Sequence, residues 1–182
     1  MDNKSTAEMV LFSTPVLRVL AFLLEHIDEE LIDTEIANRI EGVQKSAVNV
    51  ALRRLAKIGV VERTPRGRMV FNRPVVSPMV VHLAVARNLA AIDAIVREIA
   101  PLCLRIVLFG SRAEGPGTSE SDYDLFVVTA EEGKVRRFVR RNRLAESIQL
   151  VVKSPEDMLT FEKDEPVFAE EIKKGIILWQ RT

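Results

Sequence analysis

Apolar residues recur three and four positions apart through most of the first third of the chain. Leu17, Leu20, Leu24 and Ile27 step at helical spacing. Thr14 before Pro15 supplies an N-cap and a proline at the first helical position, where its missing N–H costs nothing. A second, shorter helix is predicted from a cap at Asp33, burying Ile36, Ala37 and Ile40 and ending at Gly42. A third is predicted over 45–58, with Val48, Ala51, Leu52, Leu55 and Ile58 inward. Its opposite face carries Lys45, Ser46, Asn49, Arg53 and Lys57. The period then changes: 60–63 and 68–71 flank Thr64-Pro65-Arg66-Gly67, where proline second and glycine fourth predict a type I turn in a hairpin.

Pro74 and Pro78 bracket an extended link, and a long helix is predicted over 79–100. Its stripe of Val85, Leu89, Ile92, Val96 and Ile99 should pack on the C-terminal domain, with part of it open to pairing with a second copy of the chain. His82, near its start, reads as solvated. Residues 102–109 form an apolar run between Pro101 and Gly110, the pattern of a buried strand that holds Cys103 as a small hydrophobe. Further strands are predicted over 121–128, 147–152 and 176–179, with a helix over 131–144 between the first two. Ser154-Pro155, supported by Asp157, starts another helix, and Gly175 ends one whose last turn carries Lys173 and Lys174.

Composition adds bounds. The 182 residues suit one large domain or two small ones, and 47% hydrophobic with 29% charged is ordinary for a globular protein. A single cysteine excludes an intramolecular disulfide and suits a reducing compartment. No uninterrupted apolar run reaches the ~18–20 residues of a membrane span, and the acidic start is unlike a signal peptide, so a cytoplasmic protein that does not engage a membrane is expected. The net charge of zero hides an asymmetry. Residues 1–44 carry only Lys4, Arg18 and Arg39 among nine acids. Residues 45–73 carry Lys45, Arg53, Arg54, Lys57, Arg63, Arg66, Arg68 and Arg73 against Glu62 alone. Such a stripe suits a surface that meets phosphates.

Two helices joined by a tight turn, the second exposing Ser, Asn and Arg, followed by a hairpin with arginines near its tip, resemble a winged helix-turn-helix of transcription regulators over roughly 9–73. The resemblance implies double-stranded DNA as partner, with Lys45, Ser46, Asn49 and Arg53 on the recognition helix and Arg66 and Arg68 on the wing. A winged helix used only for protein contacts is the alternative, against which the basic stripe argues.

The strand over 102–109 runs into Gly110-Ser111-Arg112-Ala113-Glu114-Gly115, and the next carries Ser121-Asp122-Tyr123-Asp124-Leu125. Residues two apart on a strand share a face, so Asp122 and Asp124 present both carboxylates on one side. Two such anions repel, and a hard divalent cation, Mg²⁺ or Mn²⁺, resolves the conflict. Glycine at 110 lets backbone N–H groups approach a phosphate. This Gly-Ser and Asp-x-Asp arrangement resembles the minimal members of the polymerase-β-like nucleotidyltransferases, over about 79–182. The resemblance implies that Gly110, Ser111 and Arg112 hold ATP or another NTP, that Asp122 and Asp124 are the metal-binding catalytic residues, and that the acceptor is a hydroxyl, possible acceptors including a partner protein such as a toxin. In the family a later strand adds a third acid. Here that position holds Gln149, a neutral amide, which leaves a non-catalytic nucleotide-binding regulator or antitoxin as the second reading.

The expected fold class is therefore a two-domain α+β / α/β chain. A winged-helix domain over 1–74 precedes a small nucleotidyltransferase domain with a mixed sheet over 75–182, which includes the connecting helix. The predicted helix over 131–144 carries Lys134, Arg136, Arg137, Arg140, Arg141 and Arg143, which read as a solvated face, with a docking surface for triphosphate, nucleic acid or an acidic partner as the alternative.

Overall fold

The computed structural model describes residues 14–115, 117–118 and 120–181. Residues 9–13 of the winged-helix resemblance lie outside the described residues. Helix α1 spans Pro15–Glu25 and starts as expected, with the Thr14 hydroxyl accepting from the Leu17 amide at 3.3 Å. A short strand β1 (Leu31–Ile32) leads into α2 (Asp33–Arg39), and α3 spans Lys45–Lys57. Asp33 does not cap α2. The Glu35 carboxylate accepts from the Ile32 amide at 2.9 Å instead, which leaves Asp33 to bond elsewhere. Ile58 was expected inside and is 63% exposed, because α3 stops at Lys57 and Gly59 (φ 73°) turns the chain away.

Strands β2 (Val61–Arg66) and β3 (Met69–Pro74) pair from Val61↔Pro74 to Arg66↔Met69. The connection is thus the two-residue turn Gly67-Arg68 rather than a type I turn over 64–67. Gly67, at φ 63°, takes the first central position. A positive φ there twists the backbone in the sense the flanking strands require, which a type I turn does not. Strand β1 pairs with the other edge of β3, giving the order β1-β3-β2. Three helices and a hairpin close over Val19, Leu23, Ile36, Val48, Leu52 and Val61.

Helix α4 (Pro78–Ile99), capped by Ser77, is shared by two cores. Val80 and Ala84 complete the first, whereas Ala91, Ile92, Ile95 and Ile99 belong to the second. The expectation was packing on the C-terminal domain with part of the helix open to a second copy, and its share in the first core was not foreseen. The buried line also lies to one side of the expected stripe: Val85, Leu89 and Val96 are half-buried, and Arg87 and Asn88 are buried. The span Pro78–Leu102 is long and apolar enough to cross a membrane by length and composition, although Arg87, Asp93, Arg97 and Glu98 interrupt it. In the fold its faces are divided between the two cores. His82 is exposed, as expected.

The second core surrounds a sheet of β4 (Arg105–Phe109), β5 (Tyr123–Val128), β6 (Ile148–Lys153) and β7 (Ile176–Gln180) in the order β6-β5-β4-β7. Only β5 and β6 are parallel, so the sheet is mixed. The short helix α5 (Ser111–Glu114) follows β4, and α6 (Glu132–Arg141) joins β5 to β6. Helices α7 (Phe161–Asp164) and α8 (Pro166–Lys174) precede β7. Alternation sends Ile106, Leu108, Tyr123, Leu125 and Val127 to the face covered by α4 and α6. Val107, Phe109, Phe126 and Val128 meet Phe161, Ala169 and Ile172 on the other. Ser154 and Asp157 exchange bonds, Ser154 N–H to the carboxylate at 2.8 Å and Asp157 N–H to the hydroxyl at 3.1 Å, around a single 3₁₀ turn rather than a full helix.

Candidate functional site

The carboxyl end of β4 and the start of β5 meet at Gly110 and Asp124. Gly110 has φ 69°, and a Cβ there would collide with Asp124 Oδ2. Both conditions demand glycine. The Gly110 carbonyl accepts from the amides of Ala113 and Glu114 at 3.0 and 3.2 Å, which closes the turn that places Ser111 at the head of α5. Asp124 lies in register with Phe109 on one side and Gln149 on the other. Gln149 therefore stands beside the aspartate, at the position the family resemblance implies for a third acid, and it is exposed. Asp122 precedes the strand and is exposed, while Tyr123 between the two aspartates is buried.

Burial pushes the Asp124 carboxyl above its ordinary range, and the negative charges of Asp122 and Glu171 push it the same way. Glu171, on α8, was missed by the sequence reading. No local pattern marks it, because only the packing of α8 on the sheet brings it towards β5. Among the described residues no three His, Cys, Asp or Glu side chains come together to hold a metal ion. Cys103 stays inert inside the core, its thiol pushed up to about 11 by burial.

Arg112 departs from the role implied by resemblance. Its guanidinium is buried over the Tyr123 ring, 4.8 Å from the centroid. Nε and Nη2 donate to the Ser121 carbonyl at 3.1 and 2.8 Å, and Nη1 donates to Asn88 Oδ1 at 3.3 Å. Committed to these partners, it holds the loop ahead of Asp122 instead of facing the open site. Asn88 returns bonds to the Arg112 and Gly115 carbonyls at 3.0 and 3.2 Å. Arg87, one residue earlier on α4, donates to the Tyr123 hydroxyl at 3.2 Å.

At the winged helix, Lys45, Ser46 and Arg53 lie exposed on α3, and Arg68 is exposed at the hairpin turn. Two expected DNA contacts are engaged internally. Asn49 donates to Asp33, which also accepts from Arg63 Nη2 at 3.0 Å and from Asn72 at 2.9 Å. Burial opposes ionisation of Asp33, but the bonds from Asn72 and Asn49 and the Arg63 charge outweigh it and hold the carboxyl below its usual range. Arg66 forms a fork with Glu30, two bonds of 2.7 Å, and lies 4.8 Å from the Phe71 centroid. The cause in both cases is an acid contributed by the scaffold, which a reading of the basic stripe alone does not see.

A three-helix core closed by a hairpin is a winged helix. The mixed sheet with Gly-Ser after one strand and Asp-x-Asp on the next is a nucleotidyltransferase fold. Residues 99–182 match the family described as "Polymerase beta, Nucleotidyltransferase", so the C-terminal part of the chain carries a domain of that family. No curated protein matches the chain. Among solved structures, reduced HlyU from Vibrio cholerae is similar over 46% of this chain and 90% of its own, with 22% identity and a TM-score of 0.36. TrmBL2, an archaeal chromatin protein described as showing a novel mode of DNA binding, is similar over 85% of this chain and 70% of its own, with 17% identity and a TM-score of 0.30.

Proposed function

We propose that this protein is a cytoplasmic, metal-dependent nucleotidyltransferase that moves a nucleoside monophosphate from ATP or another NTP to a hydroxyl acceptor, coupled to binding of duplex DNA. The acceptor class that suits it is a partner protein, a toxin among them. The division into 1–74 and 75–182 is part of the proposal, with α4 as the shared element. The contact between Gly110 and Asp124 carries the reading, since it sets a carboxylate beside the turn that presents the Ser111 backbone. Gly110 and Ser111 would hold triphosphate oxygens, and Arg112 would act indirectly by fixing the loop before Asp122.

Asp122 and Asp124 would hold Mg²⁺ or Mn²⁺. The donor set fits a cation that arrives with the triphosphate, because two carboxylates supply part of a hard-oxygen shell and phosphate oxygens complete it. Burial of Asp124 and its crowding by Asp122 and Glu171 create the unmet demand for positive charge. When bound, the ion would neutralise charge on the transferring phosphoryl group. In the transfer, the acceptor oxygen bonds to the α-phosphorus, the bond from that phosphorus to the bridging oxygen breaks, and pyrophosphate leaves. The acceptor proton needs a base. Gln149 offers an amide oxygen beside Asp124 but cannot accept that proton, so slow turnover with intact nucleotide binding is expected.

The same register supports the second reading, a regulator that binds nucleotide without turnover. Single-turnover rate and NTP affinity, measured separately on one acceptor, distinguish the two. Gln149→Asp should raise the rate with little change in affinity if transfer is the function. Brisk wild-type transfer that falls in this variant would overturn the role given to Gln149, and absence of transfer in both proteins with NTP binding retained would favour the regulator.

A further inference from the structure

Helix α6 is strongly two-sided. Val135 and Val139 are buried and Phe138 is half-buried against the sheet. The other side presents Gly133, Arg136, Arg137, Arg140 and Arg141, spaced three and four apart, which together line a concavity of about 420 Å³. Among the described residues Arg136 alone of these four pairs with an acid, Glu132 at 2.7 Å. Among the described residues no acid pairs with Arg137, Arg140 or Arg141. Like charges three and four apart oppose a helix, and Gly133 weakens its first turn further. The helix dipole accounts for cations in the last turn, hence for Arg140 and Arg141, but not for Arg136 or Arg137 in the middle. The surface is costly to a ten-residue helix and unnecessary for its packing.

We propose that this arginine face binds the phosphodiester backbone of a nucleic acid, as a contact separate from the winged helix. Three observations select this partner. The exposed groups are guanidinium forks, which match the paired oxygens of a phosphate. The face contains no apolar side chain, whereas the centre of a protein–protein interface is apolar and poor in charge. Nucleic-acid interfaces are strongly cationic, as this one is. Gly133, which also lines the concavity, has nothing within 4 Å of its absent Cβ, so this part of the surface is open. The inference does not depend on the nucleotidyl-transfer reading, since none of these residues lies at Gly110 or Asp124.

The test uses the full chain and fluorescence anisotropy at several salt concentrations, with a generic duplex DNA and a single-stranded RNA as alternative probes. The winged-helix surface is first neutralised as Lys45→Gln, Arg53→Gln and Arg68→Gln. Residual binding to at least one probe is expected. Adding Arg137→Gln, Arg140→Gln and Arg141→Gln should abolish it or lower the slope of log affinity against log salt by about two to three units. Circular dichroism and NTP binding serve as folding controls, because all three arginines lie on the outer face of the helix. The probe that retains binding names the strand type. Unchanged affinity and slope in the six-fold variant would overturn the proposal, as would absence of any binding once the winged helix is neutralised. Preferential displacement by polyglutamate or by inorganic tripolyphosphate would also overturn it, the first in favour of an acidic protein and the second in favour of a small anion.

Discussion

Arg87 joins the two halves of the molecule: its guanidinium pairs with Glu25, at the end of α1, at 2.6 Å and bonds the Tyr123 hydroxyl at 3.2 Å. Tyr123 lies between Asp122 and Asp124 and carries the Arg112 guanidinium on its ring. A polar path thus runs from the winged helix through α4 to the loop before Asp122. The partners are unequally exposed, with 8% of the Arg87 side chain and 35% of the Glu25 side chain in contact with solvent.

This asymmetry orders two substitutions. Glu25→Gln takes the countercharge from a buried guanidinium that keeps neutral partners such as the Tyr123 hydroxyl, whereas Arg87→Met leaves a carboxylate that can turn to water. Breaking a fully buried pair costs about 3–5 kcal/mol, and Glu25→Gln should approach the lower end of that range while Arg87→Met costs less. Urea unfolding of the two variants checks the order, and equal losses would show that the ion pair does not set the stability of the junction.

Gly110→Ala places a methyl group against the Asp124 carboxylate at a positive φ. A loss of about 1–3 kcal/mol is expected from the backbone alone. Displacement of Asp124 should weaken NTP binding by about 10–100-fold, the usual cost of disturbing groups around a metal. Calorimetry with Mg²⁺ present tests it. Removing the metal with a chelator should abolish NTP binding to the unaltered chain as well.

Asp33 and Asp124 give the two halves opposite responses to pH. The Asp33 carboxyl is held low, so its stabilisation is present above the ordinary carboxylate pKa of about 4 and is lost as pH falls through its folded value. Asp124 is held high, so the protonated form is favoured by folding. Its contribution is complete below about pH 4 and declines as pH rises through the folded value. Asp124→Asn should therefore raise the Tm of the metal-free protein at neutral pH and leave it nearly unchanged in acid, while Asp33→Asn should lower it at neutral pH. Thermal unfolding at pH 4 and pH 7.5 with chelator reads both signs.

On the wing, Arg68 and Arg66 are not equivalent. Arg68 is exposed at the turn, whereas Arg66 must leave Glu30 before it reaches a phosphate. Arg68→Gln should lower the salt slope of duplex binding by about 0.9, the value for one phosphate contact, and Arg66→Gln by less. Glu30→Gln should strengthen binding by releasing Arg66. Anisotropy titrations over a range of salt give all three values.

Much of this architecture was legible from local pattern. Thr14-Pro15 announced α1, and the three-and-four spacing of Val48, Ala51, Leu52 and Leu55 announced α3. These features are decided within a few residues by sterics, capping and the period of burial, so they survive without knowledge of the partner. The placement of Gln149 near Asp124 was implied by the family resemblance, whereas the parallel register that sets the two side by side came from the tertiary structure. The fates of Asn49, Arg66, Arg112 and Arg87 were not legible. Each is a polar side chain whose solvation depends on an acid, carbonyl or ring from a distant segment: Asp33, Glu30, Ser121, and Glu25 with Tyr123. Sequence periodicity sorts residues by polarity, whereas a buried guanidinium is made tolerable by partners that only chain folding brings within hydrogen-bonding distance.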